Sequence, residues 1–79
     1  MERLESLLLL LARSLVEEPD KVEVTAREED SRVELELRVA PDDVGRVIGR
    51  QGRVVKAIRT VVRASSAKLG KRVSLEVKD

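Results

Sequence analysis

Three stretches of the chain alternate aliphatic and polar residues, and each keeps its aliphatic residues on one face only. Val22, Val24 and Ala26 alternate with Glu23, Thr25 and Arg27, and Val33, Leu35, Leu37 and Val39 alternate with Arg32, Glu34, Glu36 and Arg38. Val73, Leu75 and Val77 do the same within Arg72 to Lys78. A period of two is that of a β-strand, whose successive side chains point to opposite sides of the sheet. A sheet made of such strands has one face that must be covered and one that tolerates water, so every helix must pack on the same side. The polar patch Glu28-Glu29-Asp30-Ser31 between the first two strands reads as a hairpin loop. It lacks the Asn-Gly signal of a tight primed turn, which leaves room for a longer or mobile connection.

The remaining periodicity is helical. Leu4, Leu7, Leu8, Leu11 and Leu15 recur every three or four residues, and Glu2 to Glu18 contains no Gly or Pro before Pro19, which predicts an amphipathic helix ended by proline. Leu9 and Leu10 lie off that stripe, either as a broadened core face or as a protein contact. Ala40-Pro41-Asp42-Asp43 resembles a helix start, with the two carboxylates favourable at the positive end of a helix dipole. A short helix is expected from Asp42 to Ile48 and a longer one from Arg53 to Ser66, with Gly70 suited to its exit. Valine content favours strand for the latter, but the pairs Val54-Val55 and Val61-Val62 break alternation. Val54, Val55, Ile58, Val61 and Val62 instead line one helical face, with Arg53, Lys56, Arg59 and Arg63 on another. The order is helix, strand, strand, helix, helix, strand: an α+β fold with a three-stranded mixed sheet. The helical crossover makes the second and third strands parallel neighbours, and the hairpin adds an antiparallel edge.

Seventy-nine residues make one domain, near the lower size for a core without disulfides or metal. There is no Cys and no His, which removes thiolate nucleophiles, imidazole bases and nearly every zinc or copper site, so no metal or cofactor is expected. There is also no Phe, Trp or Tyr, so any base stacking must use aliphatic groups or arginine planes. The apolar run Leu7 to Ala12 is six residues long, too short to span a bilayer and without a signal-peptide pattern, so the chain reads as cytoplasmic with no membrane partner.

Net charge of +1 conceals a strong asymmetry. From Val44 to Leu75 there are nine basic residues and no acidic one, while the rest of the chain carries seven basic and all fifteen acidic residues. Such a division points to a polyanionic partner. In the middle of the basic segment, Gly49-Arg50-Gln51-Gly52 separates the two expected helices. A Gly-x-x-Gly loop presents backbone amides without Cβ atoms in the way, at a helix N-terminus where free N–H groups and the dipole favour phosphate. Arg46 before the loop, Arg50 within it, and Arg53 and Lys56 after it supply charge and planar forks for phosphate oxygens. A tight helix–helix turn would use the same two glycines. It would not explain thirty-two consecutive positions without an acid. The loop lacks the Lys-Ser/Thr ending of a P-loop, and no base or nucleophile clusters nearby, which speaks against an enzyme.

Val47-Ile48-Gly49-Arg50-Gln51-Gly52-Arg53, followed by Ala57-Ile58-Arg59, resembles the signature of KH domains, and the element order resembles their type II, prokaryotic form. From the leucine-rich first helix to the last strand, the chain resembles the small bacterial single-KH proteins of the KhpA/YlqC family. Ribosome-binding factor A shares a related topology but lacks an intact GxxG. KH domains of ribosomal and transcription-factor proteins come embedded in longer chains.

The resemblance implies a single type II KH domain over residues 1–79 that clamps the backbone of about four nucleotides of single-stranded RNA with its GxxG loop, bases lying in an aliphatic groove. Gly49, Arg50, Gln51 and Gly52 would form the clamp, with Ile48 preceding it and Arg replacing the Lys common at position 50. Val44, Val47 and Val55 would supply the groove or the core beneath it, two roles the sequence does not divide. Lys71 and Arg72 would line the opposite rim. The implied role is an RNA chaperone or post-transcriptional regulator, with a homodimer and a second RNA-binding protein carrying KH and R3H domains as partners. The competing expectation is a protein-interaction module in ribosome assembly or cell-envelope regulation, working through surfaces such as Leu9 and Leu10.

Overall fold

In the computed structural model, which describes residues 2–79, the elements follow the expected order: α1 (Glu2–Leu15), β1 (Glu23–Glu29), β2 (Arg32–Arg38), α2 (Val44–Ile48), α3 (Arg53–Ser66) and β3 (Arg72–Lys78). The sheet order is β1-β2-β3, with β1 and β2 antiparallel and β2 and β3 parallel. The parallel pair needs a crossover, and α2 and α3 supply it on the aliphatic side of the sheet. Val33, Leu35 and Leu37 of β2 are fully buried beneath Leu4, Leu8 and Ala12 of α1 and Val55, Ile58 and Val62 of α3. Leu8, Leu35 and Leu37 are the largest side chains with no exposure, each worth about 2 to 5 kcal/mol against truncation to alanine.

Four expectations change in detail. The hairpin connection is the two residues Asp30 and Ser31, neither at positive φ, so it is not a primed turn. Its far end is tied to β3, where the Arg72 N–H donates to the Ser31 carbonyl at 3.0 Å. In α1 the buried line is Leu4, Leu8 and Ala12; Leu9 packs against the core, whereas Leu10 is 65% exposed and Leu15 lies at the exposed helix end. In α3, Val61 stands about 100° round the helix from Val62, off the buried line of Val55, Ile58 and Val62, and is 41% exposed.

The fourth concerns where helices stop and start. α1 ends at Leu15, short of Glu18, and residues 41–43 form a tight turn ahead of α2. The turn is closed by the Asp43 N–H donating to the Ala40 carbonyl at 2.8 Å, and the early end of α1 follows from the Asp43 side chain, which is 2% exposed. Its two carboxylate oxygens accept the backbone N–H groups of Glu17 and Glu18, each at 3.1 Å. Two amides that would have continued α1 are thereby captured from 26 and 25 residues away, and the end of the first helix is fastened to the start of the second.

Candidate nucleic-acid interface

α2 ends at Gly49, whose N–H donates to the Gly45 carbonyl at 2.8 Å and whose backbone then turns to φ 76, ψ 172. Two consecutive left-handed residues follow the intervening Arg50: Gln51 (φ 57, ψ 25) and Gly52 (φ 74, ψ 15). The Gly52 N–H closes the turn on the Gly49 carbonyl at 3.1 Å. Gly49 is required twice over. Its φ is one that side chains disfavour, and a Cβ there would lie 2.4 Å from Val54 Cγ2 and 2.9 Å from Val54 N. Gly52 is required only for its φ, since the nearest atoms to a Cβ are 3.9 Å away. Gln51 is the one non-glycine at positive φ among the described residues, a conformation costing about 1 to 2 kcal/mol.

This geometry packs the loop directly on the first turn of α3. No side chain caps that helix, so the positive end of a 14-residue dipole opens beside the loop. Arg50, Gln51, Arg53 and Lys56 are exposed around it, and none of the three cations has an ion-pair partner among the described residues. The aliphatic residues divide cleanly: Val47 and Val55 are buried in the core, whereas Val44, Ile48 and Val54 are half-buried and present apolar surface beside the loop.

Of the other basic residues in the basic segment, Arg46, Arg59 and Lys71 are committed elsewhere, whereas Arg63, Lys68 and Arg72 have no ion-pair partner among the described residues. Arg46 donates from Nη2 to Glu17 Oε1 at 2.6 Å, and its Nε lies 3.4 Å from Asp43 Oδ1. Arg59 Nη2 donates to the Leu75 carbonyl at 3.3 Å, tying α3 to β3. Lys71 pairs with Glu28, and this hydrogen bond and charge hold the Glu28 carboxyl below its ordinary range. Lys71 and Arg72 sit with Arg63 and Ser66 near the far end of α3, not at the loop. The sequence offered no sign of the Asp43–Glu17–Arg46 junction, because an acid ahead of a helix reads equally well as a dipole partner.

A hollow of about 470 Å³ lies on the open sheet face, lined by Arg27, Glu34, Glu36, Glu76 and Lys78 among others. Its acidic and basic residues largely neutralise one another, so it lacks the single sign that a polyanion requires. No helix of the described residues is long and apolar enough to cross a membrane.

Residues 5–77 match the family described as KhpA/KhpB, KH domain. The RNA-binding protein KhpA of Clostridium acetobutylicum is 49% identical over 94% of this chain and 99% of its own length. That of Aquifex aeolicus is 47% identical over 98% of both. Among solved structures, Aquifex aeolicus Era bound to GDP and AlF4− superposes with a TM-score of 0.71 at 23% identity, covering 96% of this chain and 30% of that one. Era in complex with MgGDPNP and nucleotides 1506–1542 of 16S ribosomal RNA gives 0.70 at 22% identity, over 95% of this chain and 29% of that one. At those identities the two Era structures speak for the fold alone.

Proposed function

The chain belongs to the KhpA/KhpB KH-domain family, and from that premise we propose that it binds single-stranded RNA by gripping the sugar-phosphate backbone with Gly49 to Gly52. The observation that carries the reading is the concentration of unpaired cations and uncapped amides at one spot: Arg50, Arg53 and Lys56 around the open N-terminus of α3. A phosphate placed there meets the dipole, backbone N–H donors and arginine forks together. Bases then lie against Val44, Ile48 and Val54, in keeping with a chain that has no aromatic residue to stack on them. Arg46 joins the site only by exchanging Glu17 for a phosphate. The protein acts by binding, in the cytoplasm, as an RNA chaperone or post-transcriptional regulator.

With about three phosphates neutralised, the single-strand salt slope is near −2, and affinity falls roughly twentyfold between 50 and 200 mM salt. One module of this strength gains from avidity. A homodimer, or pairing with a second RNA-binding protein of KH and R3H type, is supported by exposed Leu10 on α1 and Val61 on α3. Sedimentation of Leu10→Glu and Val61→Glu variants tests that part. The clamp is tested with the double variant Arg50→Asp, Gln51→Asp, checked for folding by circular dichroism. It is expected to lose RNA binding, and wild-type affinity in a folded double variant would show that the loop is not the clamp.

A further inference from the structure

The two outer edges of the sheet differ in how they are guarded. β3 forms one of them, and its Arg72 N–H and Lys78 carbonyl, bonded to Ser31 and Val39, fix its even-numbered residues toward β2. Val73, Leu75 and Val77 therefore point their main-chain groups outward, and the Leu75 carbonyl is covered there by Arg59 Nη2 at 3.3 Å. β1 forms the other edge. Its two-residue connection to β2 makes Glu29 and Arg32 a hydrogen-bonded pair, so by alternation the main-chain groups of Val24, Ala26 and Glu28 point outward. No hydrogen bond reaches those outward groups among the described residues. The strand runs seven residues in unbroken register, with neither the proline nor the bulge that commonly blunts an edge.

The charges along this edge are also left open. Across the hairpin Glu23 faces Arg38 and Arg27 faces Glu34. Neither pair is joined, because Arg38 turns to Glu36 at 2.9 Å and Arg32 takes Glu34 at 2.8 Å. Glu23 and Arg27 have no ion-pair partner among the described residues, and they stand on the open face on either side of Thr25. On the helix side, Val24 and Ala26 are only half-buried. Glu23-Val24-Thr25-Ala26-Arg27 complements itself when read in reverse. Antiparallel pairing centred on Thr25 sets Glu23 against Arg27, Val24 against Ala26, and Thr25 against its own counterpart. Moving the centre to Ala26 sets Glu23 against Glu29, moving it to Arg27 sets that residue against itself, and moving it to Val24 leaves both charges unmatched. Charge therefore selects the first register.

We propose that this edge is an association surface at which β1 pairs antiparallel with β1 of a second copy, centred on Thr25, making one continuous sheet of the two. Pairing satisfies the outward N–H and carbonyl groups of Val24 and Ala26 in both copies and covers their side chains. It joins Glu23 to Arg27 twice over, since the arrangement is two-fold symmetric. Residues directly opposite share a face, so both helical layers lie on one side of the joined sheet and both charged faces on the other. The edge is separate from the exposed Leu10 and Val61 of the helices, and its pairing does not depend on RNA. A chain that pairs through its helices as well is extended through its sheet into assemblies larger than a dimer.

The test is sedimentation of the whole chain up to millimolar concentration, in wild type and in a Leu10→Glu, Val61→Glu variant that silences the helix surfaces. The silenced chain is expected to form a dimer, in which the Val24 and Ala26 amides exchange with solvent more slowly than in the monomer. In that background Arg27→Glu or Glu23→Arg turns both opposite-charge pairs into like-charge ones, and each is expected to weaken the dimer roughly tenfold. An equimolar mixture of the two charge variants is expected to recover the association, because each offers the charge that the other lacks. The clash with Glu34 or Arg38 that either change makes inside its own chain persists in the mixture, so recovery reports pairing between chains and not folding. No recovery on mixing would overturn the pairing. So would a silenced chain that stays monomeric, which would leave the edge to a strand of another protein. A dimer in wild type and silenced chain alike, weakened by Arg27→Glu, would sink the helix surfaces and leave the edge standing.

Discussion

The two ends of α2, a helix of only five residues, are built in opposite ways. At its start, Asp43 is buried and satisfied by two amides, and Arg46 is held between Asp43 and Glu17. At its end, the loop from Gly49 to Gly52 leaves the cations around it unpaired, the next helix uncapped and Gln51 in a strained conformation. Cations near an anion site are thus of two kinds: those already spent on holding the scaffold and those left free for a ligand. A strained open loop persists only when its surroundings over-determine it, and here the locked end of α2 does that.

The sharpest way to break the contrast is at Gly49. Gly49→Ala sets a Cβ against Val54 at 2.4 Å as well as forcing a positive φ. A cost of about 3 kcal/mol in chemical denaturation is expected, together with loss of RNA binding. Gly52→Ala meets no neighbour and should cost only about 1 to 2 kcal/mol. Equal costs at the two glycines would show that the packing of the loop on α3 is unimportant. Attacking the locked end comes next. Asp43→Ala leaves the Glu17 and Glu18 amides without an acceptor and is expected to lower stability by about 2 to 4 kcal/mol. RNA affinity should fall with it although Asp43 touches no ligand. A stable variant with a displaced loop in its amide spectrum would separate anchoring from stability.

How much of this could be read from the chain depends on the range of each interaction. The strands, the single covered face and the parallel pairing follow from a period of two and from crossover length, both local properties, and all were legible. So was the loop, since two glycines between helical stripes in an acid-free segment need no distant partner. What was not legible came from contacts far apart in sequence. α1 stops at Leu15 because Asp43 takes its next amides, and Arg46 leaves the set of free cations because Glu17 reaches it from 29 residues away. Val47 and Val55 separate from Val44, Ile48 and Val54 only once the helices are packed.

A cation can also be moved from one kind to the other. Glu17→Gln removes the charge that holds Arg46 Nη2 and leaves the Glu17 amide, which Asp43 uses, in place. An exposed pair of this sort is worth about 0.2 to 1 kcal/mol, so stability should change little. RNA affinity should rise about two- to threefold, with a salt slope steeper by about 0.7 as one more phosphate is engaged. An unchanged slope would mean that Arg46 is structural even when released.

The smallest expected effect tests the same idea with protons. Glu28 is exposed, yet its carboxyl is held below the ordinary carboxylate value of 4.5, first by the Lys71 hydrogen bond and then by its charge. A carboxyl with a depressed pKa in the folded state binds fewer protons there than in the unfolded chain between the two values. The pair's contribution is therefore present above about pH 4.5 and lost as pH falls through the lower, folded value. The difference in unfolding midpoint between wild type and Glu28→Gln should accordingly be small at neutral pH and shrink towards zero as the solution is acidified below pH 4.5. A difference that stayed constant across that range would mean that Lys71 is not held by the Glu28 charge. Lys71 would then belong with Arg63 and Arg72, the free cations near the far end of α3.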